Sequence, residues 1–148
     1  MDDQGNERPE PPVRSDFRHF RTIPTRWMDN DVYGHLNNVV HYSMIDTTVN
    51  AWLMEMGHLD PASSPLIGLV VRSGCRYHAE LGFPRPVEAG LRVLHVGSSS
   101  VRYEVGLFEP GAECAAAVGF LVHVYVTRDA RRPAPISNSM REALKMLT

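Results

Sequence analysis

Between residues 29 and 38 the chain reads Asp29-Asn30-Asp31-Val32-Tyr33-Gly34-His35-Leu36-Asn37-Asn38, so five of ten positions are Asp or Asn. Such side chains bond their own backbone and favour turns and helix caps. The same segment holds the parts of a hydrolytic site. A carboxylate can attack a carbonyl carbon or deprotonate water. A helix starting just after it offers unpaired N–H groups and the positive end of a dipole, both suited to a carbonyl oxygen that gains charge. Asp31 stands a few residues before such a start, and the first free amides belong to residues near Asn38 and Val39. Gly34 lets the loop turn sharply and admits a ligand close to the backbone. Taken alone, an Asp ahead of a helix is more often a cap or turn residue than a catalyst.

Other elements must hold this loop in place. From Val39 to Met56 the apolar positions Ile45, Val49, Trp52, Leu53 and Met56 recur every three or four residues, which predicts an amphipathic helix. Asn37 or Asn38 is its natural N-cap and Gly57 its stop. Thr47, Thr48 and Val49 lower its intrinsic propensity, so packing must hold the middle. Trp52, Met44, Met54 and Met56 fall at helical spacing and read as core or pocket lining. Ahead of the loop, His19 to Met28 reads as extended, with Pro24 confining it to an edge or bulge. Beyond Pro65 four strand runs follow: Leu66–Leu81, Val87–Gly97, Val101–Phe108 and Glu113–Thr127. In the third, Val101, Tyr103, Val105 and Leu107 alternate with Arg102 and Glu104. Ala115-Ala116-Ala117 and Gly119 mark a bend where something packs closely. Gly97-Ser98-Ser99-Ser100 and Glu109-Pro110-Gly111 are turns, and Asn138–Leu147 is a last short helix capped by Ser137. The order is β-α-β-β-β-β with short turns, an α+β layer arrangement with an antiparallel sheet.

Composition narrows the functions open to such a domain. The 148 residues suit one domain. A net charge of −2 leaves no broad basic field for nucleic acid or an anionic membrane. The longest nearly uncharged stretch, Cys114–Thr127, has 14 residues, short of the roughly 20 that span a bilayer. Residues 1–16 are rich in proline and charge and read as a disordered tail without the apolar core of a secretory signal, leaving 17–148 as the folded domain. Cys75 and Cys114, with no C-x-x-C spacing, read as reduced core thiols of a cytoplasmic protein. The seven histidines show neither H-x-x-x-H nor H-E-x-x-H spacing, so no metal site is expected. Ser98-Ser99-Ser100 lacks the G-x-S-x-G elbow, and the glycines form no phosphate-cradling loop.

The run Asp29-x-Asp31-x-x-Gly34-His35-Leu36-Asn37-Asn38 resembles the D-x-D-x-x-G-H-[VL]-N-N motif of the 4-hydroxybenzoyl-CoA thioesterase-like family of hotdog-fold acyl-CoA thioesterases. Strand order and helix position extend the likeness from about Phe20 to Ile136. The resemblance implies a curved antiparallel sheet around one central helix, and hydrolysis of an acyl-CoA thioester to free acid and CoA without a cofactor. Asp31 matches the catalytic carboxylate, three residues ahead of the motif glycine. Asn38 matches the position whose backbone N–H polarises the thioester carbonyl. His35 and Asn37, with Asn38, match the polar residues that shape the loop or orient substrate, and Gly34 gives the substrate access. Asp29 takes a structural role. Family members differ on whether the carboxylate is nucleophile or base.

Coenzyme A also needs an anion site. Arg128, Arg131 and Arg132 cluster after the last strand, where guanidinium suits phosphate but a solvated cationic end is the plainer reading. The family's habit of placing coenzyme contacts on strand edges and partner subunits adds Ser99, Ser100 and Arg102. It also implies a homodimer joined edge to edge, or a homotetramer, since a lone sheet leaves a pairing edge exposed. An acyl carrier protein thioester is a second possible donor. Two alternatives stand beside hydrolysis. One is a non-catalytic acyl-CoA or acyl-ligand binding protein. The other is an enoyl-CoA hydratase, disfavoured because no Gly precedes Asp31 and the histidine falls four residues after it.

Overall fold

A computed structural model describes residues 8–148. In chain order it holds β1 (His19–Ile23), the helix α1 (Asn38–Glu55), β2 (Leu66–Tyr77), β3 (Val87–Val96), β4 (Ser100–Phe108), β5 (Ala117–Thr127) and the short helix α2 (Asn138–Lys145). The five strands form one open antiparallel sheet in the order β1-β3-β4-β5-β2, so β1 and β2 are its edges. α1 carries the chain from one edge to the other across the inner face. This is the hotdog arrangement the motif implies.

Alternation along the strands decides which face meets the helix. Leu91, Val105 and Gly119 lie in one row across β3, β4 and β5, as do Val93, Tyr103 and Leu121. α1 turns Met44, Ile45, Val49, Trp52 and Leu53 onto these rows, all buried. Gly119 is where the helix comes closest, because a Cβ there would overlap Ile45 Cδ1. The bend expected at Gly119 is therefore a contact with α1. Met54 falls off the apolar stripe, and Met56, on it in the sequence, lies past the end of α1 as its C-cap; both are exposed.

The other face is partly covered by the segment before β1. Residues 1–7 of the expected tail lie outside the described residues. Val13, however, bridges to Cys114, Arg14–Asp16 form a 3-10 turn, and the Arg14 N–H donates to the Glu113 carbonyl at 2.9 Å. Phe17 is buried on a floor formed by Gly90 and Gly106, paired neighbours where a Cβ would come within 2.9 and 2.7 Å of its ring. The Arg14 guanidinium covers Phe20 and Phe108, 5.2 and 4.9 Å from their centroids. Docking thus begins before residue 17, because aromatic rings and two side-chain-free positions supply the burial that the polar sequence lacks. Cys114, expected in the core, is exposed beside Val13, and Cys75 is half-buried; both are free thiols. No helix among the described residues is long and apolar enough to cross a membrane.

Candidate active site

The motif loop is built from its backbone outward. Asp29 is buried and takes three bonds from Arg26: from its N–H at 2.8 Å, from Nε at 3.1 Å and from a guanidinium nitrogen at 2.9 Å. Its carbonyl also accepts the Asn37 N–H at 2.8 Å. Asp29 thereby closes the loop and has no oxygen left for chemistry. Two residues on, the Asp31 carboxylate is 18% exposed. Its Oδ1 accepts the Tyr33 N–H at 2.8 Å, the side-chain turn its type predicts. Its Oδ2 lies 3.9 Å from His35 Nδ1. Gly34, at φ +85°, occupies the left-handed region that lets the loop return, and the Gly34 N–H bonds the Asp31 carbonyl at 3.1 Å.

The loop rests on the segment that follows β2. The Leu36 N–H donates to the Leu81 carbonyl at 2.7 Å, and Asn30 Oδ1 accepts the Phe83 N–H at 3.0 Å. β2, expected to run to Leu81, ends at Tyr77 because the chain must turn there to hold the loop.

Asn37 is the N-cap of α1. Its Oδ1 accepts the Val39 N–H at 2.9 Å, and its carbonyl accepts those of Val40 at 2.9 Å and His41 at 3.4 Å. Val39, one of the two amides expected to be free, is therefore spent. The Asn38 N–H has no partner among the described residues and remains the donor at the helix start.

Asp31, His35 and Asn38 line one open cleft of about 520 Å³. Its opposite wall comes from the end of β2 and the residues after it, including Tyr77, His78 and Glu80, with Leu36 and Leu81 as an apolar floor. His35 bridges the two walls, with Nδ1 toward Asp31 and Nε2 3.9 Å from Glu80 Oε1. His41 sits beneath, and its Nδ1 bonds the Asn37 carbonyl at 3.1 Å. Burial lowers the His41 imidazole below its ordinary pKa, against the raising effect of that bond. Burial also lowers His78, whose Nε2 is enclosed without a partner among the described residues. The His41 and His78 imidazoles, which burial disfavours from taking a proton, and the free carboxylate oxygens of Asp31 and Glu80 thus share a partly apolar space with an amide donor, a set suited to a polar reaction at a carbonyl.

The remaining expected residues lie elsewhere. Gly34 borders a neighbouring hollow that Asp31 shares with Trp27 and Phe83. Asn37 acts through its cap. Ser99 lies in the β3–β4 turn, Ser100 opens β4, and Arg102 stacks over Phe120 at 4.5 Å on the sheet's other face. Arg131 and Arg132 are exposed beyond β5, and Arg128 is committed to the carbonyls of Ser64 and Pro61 at 2.7 and 3.0 Å. None of these lines the Asp31 cleft. Tyr77, His78 and Glu80 were not anticipated; their only sequence signal is a run of polar and aromatic residues closing a strand. Among the described residues, no group of three His, Cys, Asp or Glu side chains is placed to hold a metal ion.

A family model for the thioesterase-like superfamily matches residues 25–144. No protein with a curated description matches the chain. Among solved structures, the PA5185 protein of Pseudomonas aeruginosa is 48% identical, with a TM-score of 0.90 over 95% of this chain and 97% of that one. PA2801 of the same organism, provisionally a thioesterase, is 27% identical, with a TM-score of 0.78 over 86% and 98% of the two chains. A thioesterase of Thermus thermophilus, solved with coenzyme A and Zn, is 26% identical, with a TM-score of 0.73 over 89% and 95%. With most of its length, motif loop included, inside that family match, the chain belongs to the thioesterase-like superfamily.

Proposed function

We propose that this chain hydrolyses an acyl-CoA thioester to a free carboxylic acid and CoA. The observation that carries the reading is the Asp31 carboxylate and the unpartnered Asn38 N–H lining the same cleft. The Asn38 amide and the dipole behind it receive the thioester oxygen as it gains charge. Asp31 Oδ2, the oxygen not held by Tyr33, attacks the carbonyl carbon or removes a proton from an attacking water. The C–S bond then breaks and CoA leaves as the thiolate; in the nucleophilic route water next opens the acyl–Asp31 anhydride to release the acid, and in both routes the proton taken from water returns to the thiolate or to solvent. His35 orients Asp31 and the water between the cleft walls. Gly34 and Asn37 shape the entry and the helix start. Family membership and the 26% identical thioesterase solved with coenzyme A support a CoA ester as the donor.

Purified protein mixed with a panel of short, long and aromatic acyl-CoAs and a thiol reagent tests this reading. Thiol release with at least one acyl group is expected. Tight binding with no release would instead make the chain an acyl-CoA binding protein. Rapid acid quench during a single turnover separates the two roles of Asp31: a nucleophile leaves a transient acyl adduct on the protein, seen as a gain in its mass, and a base leaves none.

The CoA phosphates need cations that the Asp31 cleft lacks. We assign them to Arg131 and Arg132, with Ser99, Ser100 and Arg102, supplied across an assembly. β2 is an edge of 12 residues with Val70 and Val71 largely exposed, a surface that pairs with a second copy. Light scattering is expected to give a mass of at least twice 16.6 kDa, and a monomer would overturn that assembly.

A further inference from the structure

Tyr77 closes β2 on the side of the sheet that faces α1, opposite Ala117 in the register. Its hydroxyl donates to Asn38 Oδ1, joining two positions 39 residues apart in the chain. Its ring meets His41 edge-on, with centroids 4.9 Å apart and planes at 86°. His41 in turn bonds the Asn37 carbonyl. Both residues of the motif's Asn-Asn pair are thus held from one strand end, Asn38 directly and Asn37 through His41.

We propose that Tyr77 is a positioning residue for the hydrolysis, acting through the Asn38 side chain on the amide at the start of α1; the role rests on the thioesterase reading above. Asn38 carries an acceptor on a short stem beside the one open N–H of the helix start. Left free, that Oδ1 competes for first-turn amides, as the Asn37 oxygen does for Val39. It would also bring negative partial charge toward the place where the oxyanion forms. The Tyr77 hydroxyl engages this oxygen and sets the carboxamide plane. It also fixes the distance between the helix start, which carries the donor, and the strand end, which forms the far wall. Burial pushes the Tyr77 phenol up from its ordinary pKa, so it remains a hydrogen-bond donor throughout the neutral range. Reacting groups tolerate little misplacement, since an error of about 1 Å can cost about 100-fold in rate.

The test is a double-mutant cycle on the full chain. Tyr77→Phe keeps the ring and its contact with His41, and Asn38→Ala keeps the backbone N–H. Each single variant is expected to lower kcat about tenfold with KM within about twofold. The double variant is expected to be no worse than either, because both remove the same contact. Tm recorded for all four proteins separates this from unfolding, since assays run well below the lowest Tm still show the kcat loss. An active wild type with unchanged kcat in Tyr77→Phe overturns the role of Tyr77, and so do losses that multiply in the double variant. A wild type inactive on every acyl-CoA fails at the earlier reading instead. In that case the Asn38 carboxamide resonances still decide the contact: a shift in Tyr77→Phe is expected, and identical spectra would refute it.

Discussion

The carboxyl end of α1 closes with the Gly57 N–H on the Met54 carbonyl at 3.1 Å and the His58 N–H on the Leu53 carbonyl at 2.8 Å, while the amino end leaves the Asn38 N–H open to a cleft. The first arrangement is the Schellman motif, with Gly57 at φ +76° supplying the left-handed residue it needs. At the amino end the Asn37 side chain and carbonyl bind Val39, Val40 and His41, yet stop one residue short. One helix thus ends once for stability and once with a donor in reserve. An unspent backbone amide is costly in a dry core but useful where a ligand oxygen can reach it.

The comparison breaks most sharply at Asp31. Asp31→Asn keeps an oxygen for the Tyr33 N–H, so the loop and the Tm are expected to hold. The carboxylate lone pair is lost, and kcat is expected to fall about 1,000-fold, within the range of general-base loss. Thiol release measured beside thermal unfolding checks both halves. Full activity in this variant removes Asp31 from the mechanism.

The two helix ends are then perturbed separately. Asn37→Ala removes the cap oxygen, at a cost of about 1 kcal/mol in stability. It also frees the Val39 amide beside Asn38, so kcat is expected to drop as well, by about tenfold. Gly57→Ala puts a Cβ on a left-handed residue, costing about 1 kcal/mol, yet kcat is expected to stay at the wild-type value. Urea midpoints and kcat measured on both variants separate the ends. Equal kcat losses would mean that the donor end has no special role.

The helix was legible nearly to the residue because its signals are local. The expected Val39–Met56 became Asn38–Glu55, since an Asn cap and a Gly stop need no tertiary partner. The sheet was legible as alternation, but strand ends were not. β2 stops at Tyr77: the His78 and Ala79 N–H groups share the Ala116 carbonyl, and Leu81 and Phe83 bond Leu36 and Asn30 of the motif loop, more than 40 residues away. For the same reason, one wall of the cleft was readable and the other was not. Asp31, His35 and Asn38 are near neighbours in sequence, whereas Tyr77 and His78 reach them only through the sheet register. Val13–Asp16 reads as tail in the sequence because its docking rests on Phe17 and on Gly90 and Gly106, which meet only in the folded sheet.

The gentlest perturbation is a proton, and it compares the site with the core. His41, at the cleft, and His123, in the core on β5, are both buried, and burial lowers both below the ordinary imidazole value of 6.5. For His41 the bond to Asn37 opposes the shift; for His123 the Asp46 carboxylate does, while Nδ1 has no hydrogen-bond partner among the described residues. His78, also lowered by burial, adds to the same direction. Below pH 6.5 the unfolded chain takes up protons that the folded chain refuses, so stability is complete above that pH and declines as pH falls through the folded values. Glu55 and Glu88, held low by Arg21 and by the Gly111 N–H, have an ordinary value of 4.5, so their contribution is lost only at lower pH. Between about pH 7 and 5 a falling urea midpoint therefore reports on imidazoles. His123→Phe keeps an aromatic ring against Tyr103 and Tyr125 while removing the titrating group, and it is expected to flatten that decline more than His41→Phe, because His123 is the more buried. An unchanged slope in His123→Phe would assign the acid sensitivity to the active-site end of the molecule instead.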